Sequence, residues 1–118
     1  MSNIFLLPLG ILLLFISACS RTLSSEQTLQ LSNEALAIFS NSEFKNEIPS
    51  KSWPASIKSL NPERVYIKTD GIYIVLSSSY VEEDGIFIPK SKNFESQPGS
   101  DPSYTLISDN VFKYHIAG

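Results

Sequence analysis

His115 is the residue best suited to acid–base chemistry, because it is the single histidine in this chain of 118 residues. Histidine is the usual proton shuttle near pH 7. A hydrolase would also need a nucleophile and an orienting carboxylate, which one of the serines at 77–79 and Asp109 could supply. The chain lacks the Gly-x-Ser-x-Gly motif that marks the nucleophile in many hydrolases. We therefore expect a surface histidine and a protein that is not an enzyme, with a small hydrolase using His115 as the alternative.

Glu82, Glu83 and Asp84 form the densest group of carboxylates, which are ligands that Ca²⁺ prefers. Ca²⁺ takes about six to eight oxygens, and three adjacent side chains cannot all face one ion. A chain with one Cys and one His also cannot build a Cys/His metal cluster alone. We expect a solvated turn at residues 82–85 and neither a metal nor another cofactor.

The amino-terminal segment is uncharged, since no Lys, Arg, Asp or Glu precedes Arg21. Residues 4–18 form an apolar run that is interrupted by Pro8, Gly10 and Ser17. A membrane-spanning helix needs about 20 apolar residues, whereas the apolar region of a signal peptide has about 7–15. The run therefore predicts a signal peptide, although residues 1–3 lack the usual Lys or Arg.

The apolar run closes with an aliphatic residue, two small residues and a cysteine: Ile16, Ser17, Ala18 and Cys19. This pattern resembles the lipobox of bacterial membrane lipoproteins. In that family the cysteine thiol receives a diacylglycerol, the signal peptide is cut before the cysteine, and the new amino group is usually acylated. The resemblance implies that residues 1–18 are a signal peptide, that Cys19 is the lipidated first residue of the mature chain, and that residues 19–25 are a tether.

The same resemblance implies a location at a membrane through the lipid anchor. In a Gram-negative cell Ser20 favours the outer membrane, facing the periplasm, since lipoproteins held at the inner membrane often carry Asp at that position. Ala18-Cys19-Ser20 also fits ordinary signal peptidase, which would cut after Ser20 and release a soluble protein. An uncleaved membrane anchor is a further alternative.

A long helix is expected directly after the tether. Ser24 and Gln27 form a capping-box pattern, and the helix should run to about Ser40 or one turn further, to Phe44. The apolar side chains at helical spacing predict its buried face: Leu29, Ala35, Leu36, Ile38 and Phe39.

A short second helix is predicted from Pro54 to Leu60. Proline is tolerated in a first turn, and Asn61-Pro62 ends the pattern. Trp53 precedes this helix and is expected to close the core beneath the first helix, with an exposed interface anchor as the alternative.

Alternating apolar residues on either side of Asp70-Gly71 predict a β-hairpin with a two-residue turn. This turn would place Ile67 opposite Ile74 on the face that packs in the core. Four residues on the other face form a partly apolar patch and a candidate interaction site: Tyr66, Lys68, Tyr73 and Val75. The alternative is that the second helix or the polar loop after residue 90 covers this patch.

Three further strands are expected in the carboxy-terminal half. One contains residues 86–88, and two others, 104–107 and 111–116, pair across a three-residue loop that ends in a left-handed Asn110. Leu106 would then lie opposite Phe112, and Tyr104 opposite Tyr114, on the inner face. The chain is therefore predicted to be α+β, with one N-terminal helix and a short second helix packed on an antiparallel sheet of four or five strands, in a single domain over residues 26–118.

The expected function is the binding of a partner that is not a nucleic acid. A net charge of −3 and a sequence pI near 5.0 argue against a nucleic-acid partner. We expect a small envelope lipoprotein with a non-catalytic binding domain, whose partner is an envelope protein or a cell-wall polymer. A narrower form is an inhibitor or immunity-type protein. A structural spacer would be expected to show long heptad repeats, which this chain lacks.

Overall fold

The computed structural model describes residues 23–41 and 46–118. In chain order its elements are helix α1 (Ser25–Phe39), a 3-10 turn (Ser50–Ser52), helix α2 (Ala55–Lys58) and strands β1 (Arg64–Ile67), β2 (Gly71–Ser78), β3 (Glu83–Pro89), β4 (Ser103–Ser108) and β5 (Val111–Ile116). The strands form one antiparallel sheet in the order β1-β2-β3-β5-β4. The predicted α+β architecture is confirmed, with five strands.

The predicted lipidation site, Cys19, lies outside the described residues, as does the suggested extra helical turn at Phe44. Within the described part of the chain, every helix is too short or too polar to cross a membrane.

The start of α1 follows the capping-box prediction. The Ser24 hydroxyl accepts the Gln27 amide at 3.2 Å, and the Gln27 side chain accepts the Ser24 amide at 2.8 Å. Two amide groups that the helix cannot satisfy internally are thereby paired. Because such a cap depends on two nearby residues, the sequence alone was enough to locate it.

The buried face of α1 differs from the prediction. Leu31, Ala35 and Ile38 are buried, whereas Leu29 is 63% exposed. The buried row begins one residue earlier, at Thr28, whose hydroxyl donates to the Ser24 and Ser25 carbonyl oxygens. A threonine can occupy this apolar interface because its polar group is already hydrogen-bonded within the helix.

The short second helix is confirmed, although at four residues it is shorter than predicted. Pro54 is its N-cap, and Asn61 beyond its end adopts a left-handed φ of 51°. Trp53 is half-buried against the core, and its indole Nε1 donates to the Ile48 carbonyl oxygen at 3.0 Å. This position is the core-closing one that the sequence favoured for Trp53.

One face of the sheet packs against the helices in an aliphatic core. Its buried members come from both helices, the loop between them and four strands: Leu31, Ala35, Ile38, Ile48, Ile57, Val65, Ile72, Ile74, Ile86, Ile88 and Val111. Removing these side chains from water is the main favourable contribution to folding of this layer.

The first hairpin forms, but its turn lies one residue earlier than predicted. Lys68 and Gly71 exchange two backbone hydrogen bonds, of 2.9 and 3.2 Å, so Thr69-Asp70 makes the turn. Ile67 lies opposite Ile72 instead of Ile74. Gly71 belongs to β2, where a Cβ atom would lie 2.4 Å from the Ile88 carbonyl oxygen. The close approach of β3, not the turn, requires this glycine.

The second hairpin has the predicted pairing. Leu106 lies opposite Phe112, Tyr104 lies opposite Tyr114, and Asn110 has a left-handed φ of 59°. The face of this hairpin that was predicted to pack in the core points away from the helices and carries Tyr104, Phe112 and Tyr114. Val111, on the opposite face, packs in the aliphatic core. The sheet therefore buries side chains on both faces.

Candidate functional site

The face of the sheet opposite the helices is built from aromatic rings. We call it the aromatic face, and it consists of Tyr66, Tyr73, Phe87, Phe94, Tyr104, Phe112 and Tyr114. Six of these residues lie on strands, and Phe94 comes from the loop between β3 and β4. No residue of the described helices belongs to this cluster. Its outer rings are therefore only partly shielded from solvent by the described residues.

The rings of the aromatic face are in direct contact from one side of the sheet to the other. Tyr66 stacks on Tyr73 with ring centroids 5.1 Å apart, and Tyr73 meets Tyr114 edge to face at 5.0 Å. Phe94 contacts Phe87 at 4.9 Å in an edge-to-face arrangement. Such geometries are favourable for aromatic pairs beyond the area that they bury. The outer rings are thus held in fixed positions by the inner ones.

Gly85 makes room for this packing. A Cβ atom there would lie 2.0 Å from the Ile74 carbonyl oxygen and 2.9 Å from the ring of Tyr114. The Tyr114 ring therefore lies over a strand that presents no side chain at that point, next to the buried Val75 with which Gly85 is paired.

Glu83 connects two tyrosines at one end of the aromatic face. The hydroxyl groups of Tyr66 and Tyr114 both donate to Glu83 Oε2, at 2.5 and 2.8 Å. Burial, and then the hydrogen bond to Glu83, raises the pKa of both tyrosines well above the usual value. Both therefore remain protonated hydrogen-bond donors under ordinary conditions.

Asp70 ends a second hydrogen-bonded chain. Tyr73 donates to Asp70 Oδ2 at 2.8 Å, and its hydroxyl lies 2.7 Å from that of Tyr104. Because Tyr73 has one proton and gives it to the carboxylate, Tyr104 must donate to Tyr73. Burial raises the pKa of Tyr73 and Tyr104. The two carboxylates fix four tyrosine hydroxyls in defined orientations.

Cations in β1 and directly after it border the aromatic face. The Arg64 guanidinium lies 4.9 Å from the centre of the Tyr66 ring, and Lys68 Nζ lies 5.6 Å from Tyr66 and 5.5 Å from Tyr73. Arg64 also pairs with Glu47 at 2.9 Å, with both side chains more than half exposed. These contacts add modestly to stability but place positive charge next to the rings.

An open groove of about 580 Å³ lies beside the Asp70 end of the aromatic face. It is lined by Thr69, Asp70, Lys90, Ser91, Asn93 and Phe94. The groove thus presents both charge signs, amide and hydroxyl groups, and one aromatic ring. This combination suits a polar ligand or a peptide.

The predicted interaction patch is largely buried. The structure brings Tyr66, Lys68, Tyr73 and Val75 to one face, but Tyr73 is 2% exposed and Val75 is fully buried. The surface available from this set is reduced to the half-buried Tyr66 and the exposed Lys68. Aromatic residues of the neighbouring strands, with Phe94 from the loop after residue 90, surround this part of the face, so the structure is nearer to the covered alternative, and the interaction role of the patch stays a prediction.

His115 is paired with Asp84, not with Asp109. Its Nδ1 lies 2.7 Å from Asp84 Oδ1, and this hydrogen bond raises the pKa of His115. Ser103 is the cross-strand neighbour of His115, but its hydroxyl donates weakly, at 3.4 Å, to the His115 backbone oxygen. Among the described residues, no serine hydroxyl is hydrogen-bonded to the imidazole, as a Ser-His-Asp site would need.

The acidic run does not form the predicted solvated turn. Ser79 and Glu82 close the turn, with a backbone hydrogen bond of 2.9 Å, and Glu83 and Asp84 belong to β3. Because side chains alternate along a strand, Glu83 points to the aromatic face and Asp84 to the other. In the described part of the chain, no three His, Cys, Asp or Glu side chains are grouped as metal ligands.

The sequence pointed to one edge of this site and missed its centre. Glu83, Asp70 and Phe94 lie in segments that the sequence predicted to be turns or a polar loop. The tyrosines could have indicated the site. Tyr66 and Tyr73 fall on the same face of one predicted hairpin, and Tyr104 and Tyr114 fall on the same face of the other. Buried tyrosine hydroxyls need partners, which points to nearby carboxylates.

Comparison with known proteins gives no relative for this chain: no family model matches it, and no curated protein or solved structure is significantly similar to it.

Proposed function

We propose that this protein is a lipid-anchored binding protein of the bacterial envelope and that it acts without catalysis. The observation that carries the binding role is the aromatic face, where partly exposed rings are fixed by partly buried hydrogen bonds. Rigid aromatic residues are enriched at recognition surfaces because they contribute large contact areas at little entropic cost. The lipobox-like residues 16–19 support the envelope location.

The charges beside the aromatic face favour a polar partner. Lys68 and Arg64 lie on one side of it, and Asp70 and Lys90 lie in the adjoining groove. An envelope protein or a cell-wall polymer presents both apolar surface and groups that can pair with these charges. A membrane anchor would raise the local concentration of the domain near such a partner, so a modest intrinsic affinity would be sufficient.

A retention experiment with the full-length protein in detergent tests this proposal. Isolated cell-wall polymer and solubilised envelope proteins are incubated separately with the wild type, Phe94→Ser and Tyr80→Ser. Phe94 belongs to the aromatic face, whereas Tyr80 is fully exposed outside it and is the matched control. We expect one fraction to retain the wild type and Tyr80→Ser, and Phe94→Ser to be retained at least about tenfold less. Retention by neither fraction, or equal loss in both variants, would refute the binding role.

A further inference from the structure

The two edges of the sheet differ in how they are covered. The outer side of β1 is occupied, since the Ile48 amide donates to the Val65 carbonyl oxygen at 2.9 Å and the Ile67 amide donates to the Asn46 carbonyl oxygen at 2.6 Å. The other edge is β4. No backbone group of residues 23–41 or 46–118 pairs with the outer side of β4. This strand therefore presents free amide and carbonyl groups.

The composition of β4 lacks the usual protection of an edge strand. Its sequence, Ser-Tyr-Thr-Leu-Ile-Ser over residues 103–108, contains no charge and no proline. Edge strands normally carry Lys, Pro or a bulge that prevents pairing with another chain. β4 has one irregularity, between Leu106 and Ser108, which leaves residues 103–106 regular. Leu106 and Ile107 are 62% and 40% exposed, so this edge is also apolar.

Carboxylates flank this neutral edge at both ends. Asp101 lies two residues before β4 and Asp109 directly after it; both are exposed, and Asp101 Oδ1 also accepts the Ala117 amide beyond β5 at 2.9 Å. If two copies paired antiparallel through β4, Asp101 of each would approach Asp109 of the other, and these like charges would repel. A strand with cations at its ends would instead be attracted at both places. Charge complementarity therefore favours a different protein over a second copy.

We propose that an extended segment of a partner protein, apolar at alternate positions and flanked by Lys or Arg, adds to the sheet along β4 as a sixth strand. Main-chain hydrogen bonds to β4 would supply affinity, and alternate side chains would supply specificity. Side chains on one side of the added strand would lie beside Tyr104 and Leu106 and extend the aromatic face. This inference rests on the proposed binding function and identifies the partner as a protein segment.

A synthetic peptide provides the first test. The probe is fluorescein-labelled Lys-Thr-Val-Tyr-Val-Thr-Lys, and its binding to the full-length protein in detergent micelles is followed by anisotropy. Methylating alternate backbone nitrogens on the edge that faces β4 should weaken binding by about fivefold or more for each hydrogen bond removed. Replacing both terminal Lys by Glu should also weaken binding, and added salt should reduce that difference. No binding, or equal binding of all three peptides, would overturn the proposal.

Matched substitutions locate the peptide on the protein. Leu106→Lys places a charge on the edge, while Leu29→Lys changes an equally exposed leucine on α1, at 63% against 62%. We expect Leu106→Lys to lower the affinity at least about tenfold and Leu29→Lys to leave it unchanged. Asp109→Asn should lower it less, with the exposed Glu95→Gln as its control. Equal effects within either pair would contradict binding along β4.

A crosslinking experiment in intact cells separates this inference from the proposed function. A photoreactive benzoylphenylalanine is placed in the anchored protein at Thr105, at Phe94 or at the control position Leu29. A Thr105 crosslink whose peptide maps to a Lys/Arg-flanked extended segment supports the inference. A partner captured from Phe94 but not from Thr105 overturns the inference and leaves the binding function standing. Capture from neither position overturns both, and a Thr105 product of twice the protein's mass shows that a second copy occupies β4, contrary to the inference.

Discussion

The ion pair between His115 and Asp84 gives the protein a titratable group near neutral pH. The protonated imidazole donates from Nδ1 to the Asp84 carboxylate, and the charges of Glu82 and Asp101 act in the same direction. The pKa of His115 is therefore raised above its ordinary value of 6.5. A raised histidine pKa means that the pair contributes fully below about pH 6.5 and that its contribution is lost as the pH rises through the raised pKa.

An NMR titration of the full-length protein checks the His115 prediction. We expect the His115 ring signals to titrate with a midpoint above 6.5 in the wild type. Asp84→Asn should lower this midpoint most, because the hydrogen bond is the main cause of the shift, and Glu82→Gln should lower it less. A wild-type midpoint at or below 6.5, or one that does not respond to Asp84→Asn, would show that the pair does not form in solution.

The buried tyrosines predict a loss of stability in alkaline solution. Tyr73 and Tyr114 are at most 2% exposed, and burial raises the pKa of each far above 10. Their contribution is complete below about pH 10, where the unfolded tyrosines begin to ionise, and is lost as the pH rises toward the raised pKa. Above about pH 10.5, where the unfolded tyrosines are mostly ionised, the free energy of unfolding should fall by about 1.4 kcal/mol per pH unit for each of them.

Urea unfolding between pH 9 and pH 11.5 measures this alkaline slope. We expect Tyr114→Phe to make the slope shallower by about 1.4 kcal/mol per pH unit, because one ionisable group is removed. Tyr80→Phe should leave the slope unchanged, since Tyr80 is fully exposed. The same slope in wild type and Tyr114→Phe would mean that Tyr114 is not buried as a neutral donor to Glu83.

At the scale of the elements, the close approach of β2 and β3 depends on Gly85. A Cβ atom there would overlap the Ile74 carbonyl oxygen at 2.0 Å, and backbone cannot move away as a flexible side chain can. We therefore expect Gly85→Ala to lower the free energy of unfolding by at least about 2 kcal/mol. Gly99→Ala is the control: Gly99 has a left-handed φ of 77° but open space around it. It should cost only about 1 kcal/mol, and equal losses in urea unfolding would contradict the packing argument.

Local signals predicted the elements well. The Ser24 cap, the short second helix and the pairing of Tyr104 with Tyr114 each depend on neighbouring residues, and the structure has all of them. The orientation of elements depends on distant contacts. The buried side of α1 is set by how Thr28 and Leu31 meet the sheet, which the spacing of apolar residues alone leaves open.

The candidate site illustrates the same limit. The alternation of side chains correctly put Tyr66 and Tyr73 on one face, but whether that face is exposed depends on Phe94, Tyr104 and Tyr114, which are distant in sequence. The sequence predicted Glu83 to lie in a turn, because a run of acidic residues followed by a glycine, here Gly85, is typical of turns. The structure places it in a strand, since its carboxylate satisfies two tyrosine hydroxyls that would otherwise be buried without partners.

At the scale of the molecule, the sheet separates two differently built layers. The helix side is an aliphatic core, and the other side is an aromatic layer held by two tyrosine–carboxylate networks. Helices cover the first layer, while the described part of the chain leaves the outer rings of the aromatic layer and the β4 edge partly exposed to solvent. The surfaces proposed for binding therefore lie on the side of the sheet that the helices do not occupy and at one end of its strand order.

The proposed lipid anchor would act at the scale of the whole molecule, because it would determine which partners these surfaces can meet. Two acyl chains of a diacylglycerol on Cys19 would hold the domain stably at a membrane, whereas a single chain gives only reversible binding.

We expect the full-length chain expressed in bacteria to be extracted from membranes with an intact mass that corresponds to a start at Cys19 plus acyl groups. Cys19→Ala should lack the added mass and should no longer yield the mature membrane-anchored form. Ser24→Ala, which keeps the cysteine, should retain both the added mass and the membrane anchoring. A soluble product that begins at Arg21 would refute the anchor, and the partner of β4 would then have to be sought among diffusible proteins.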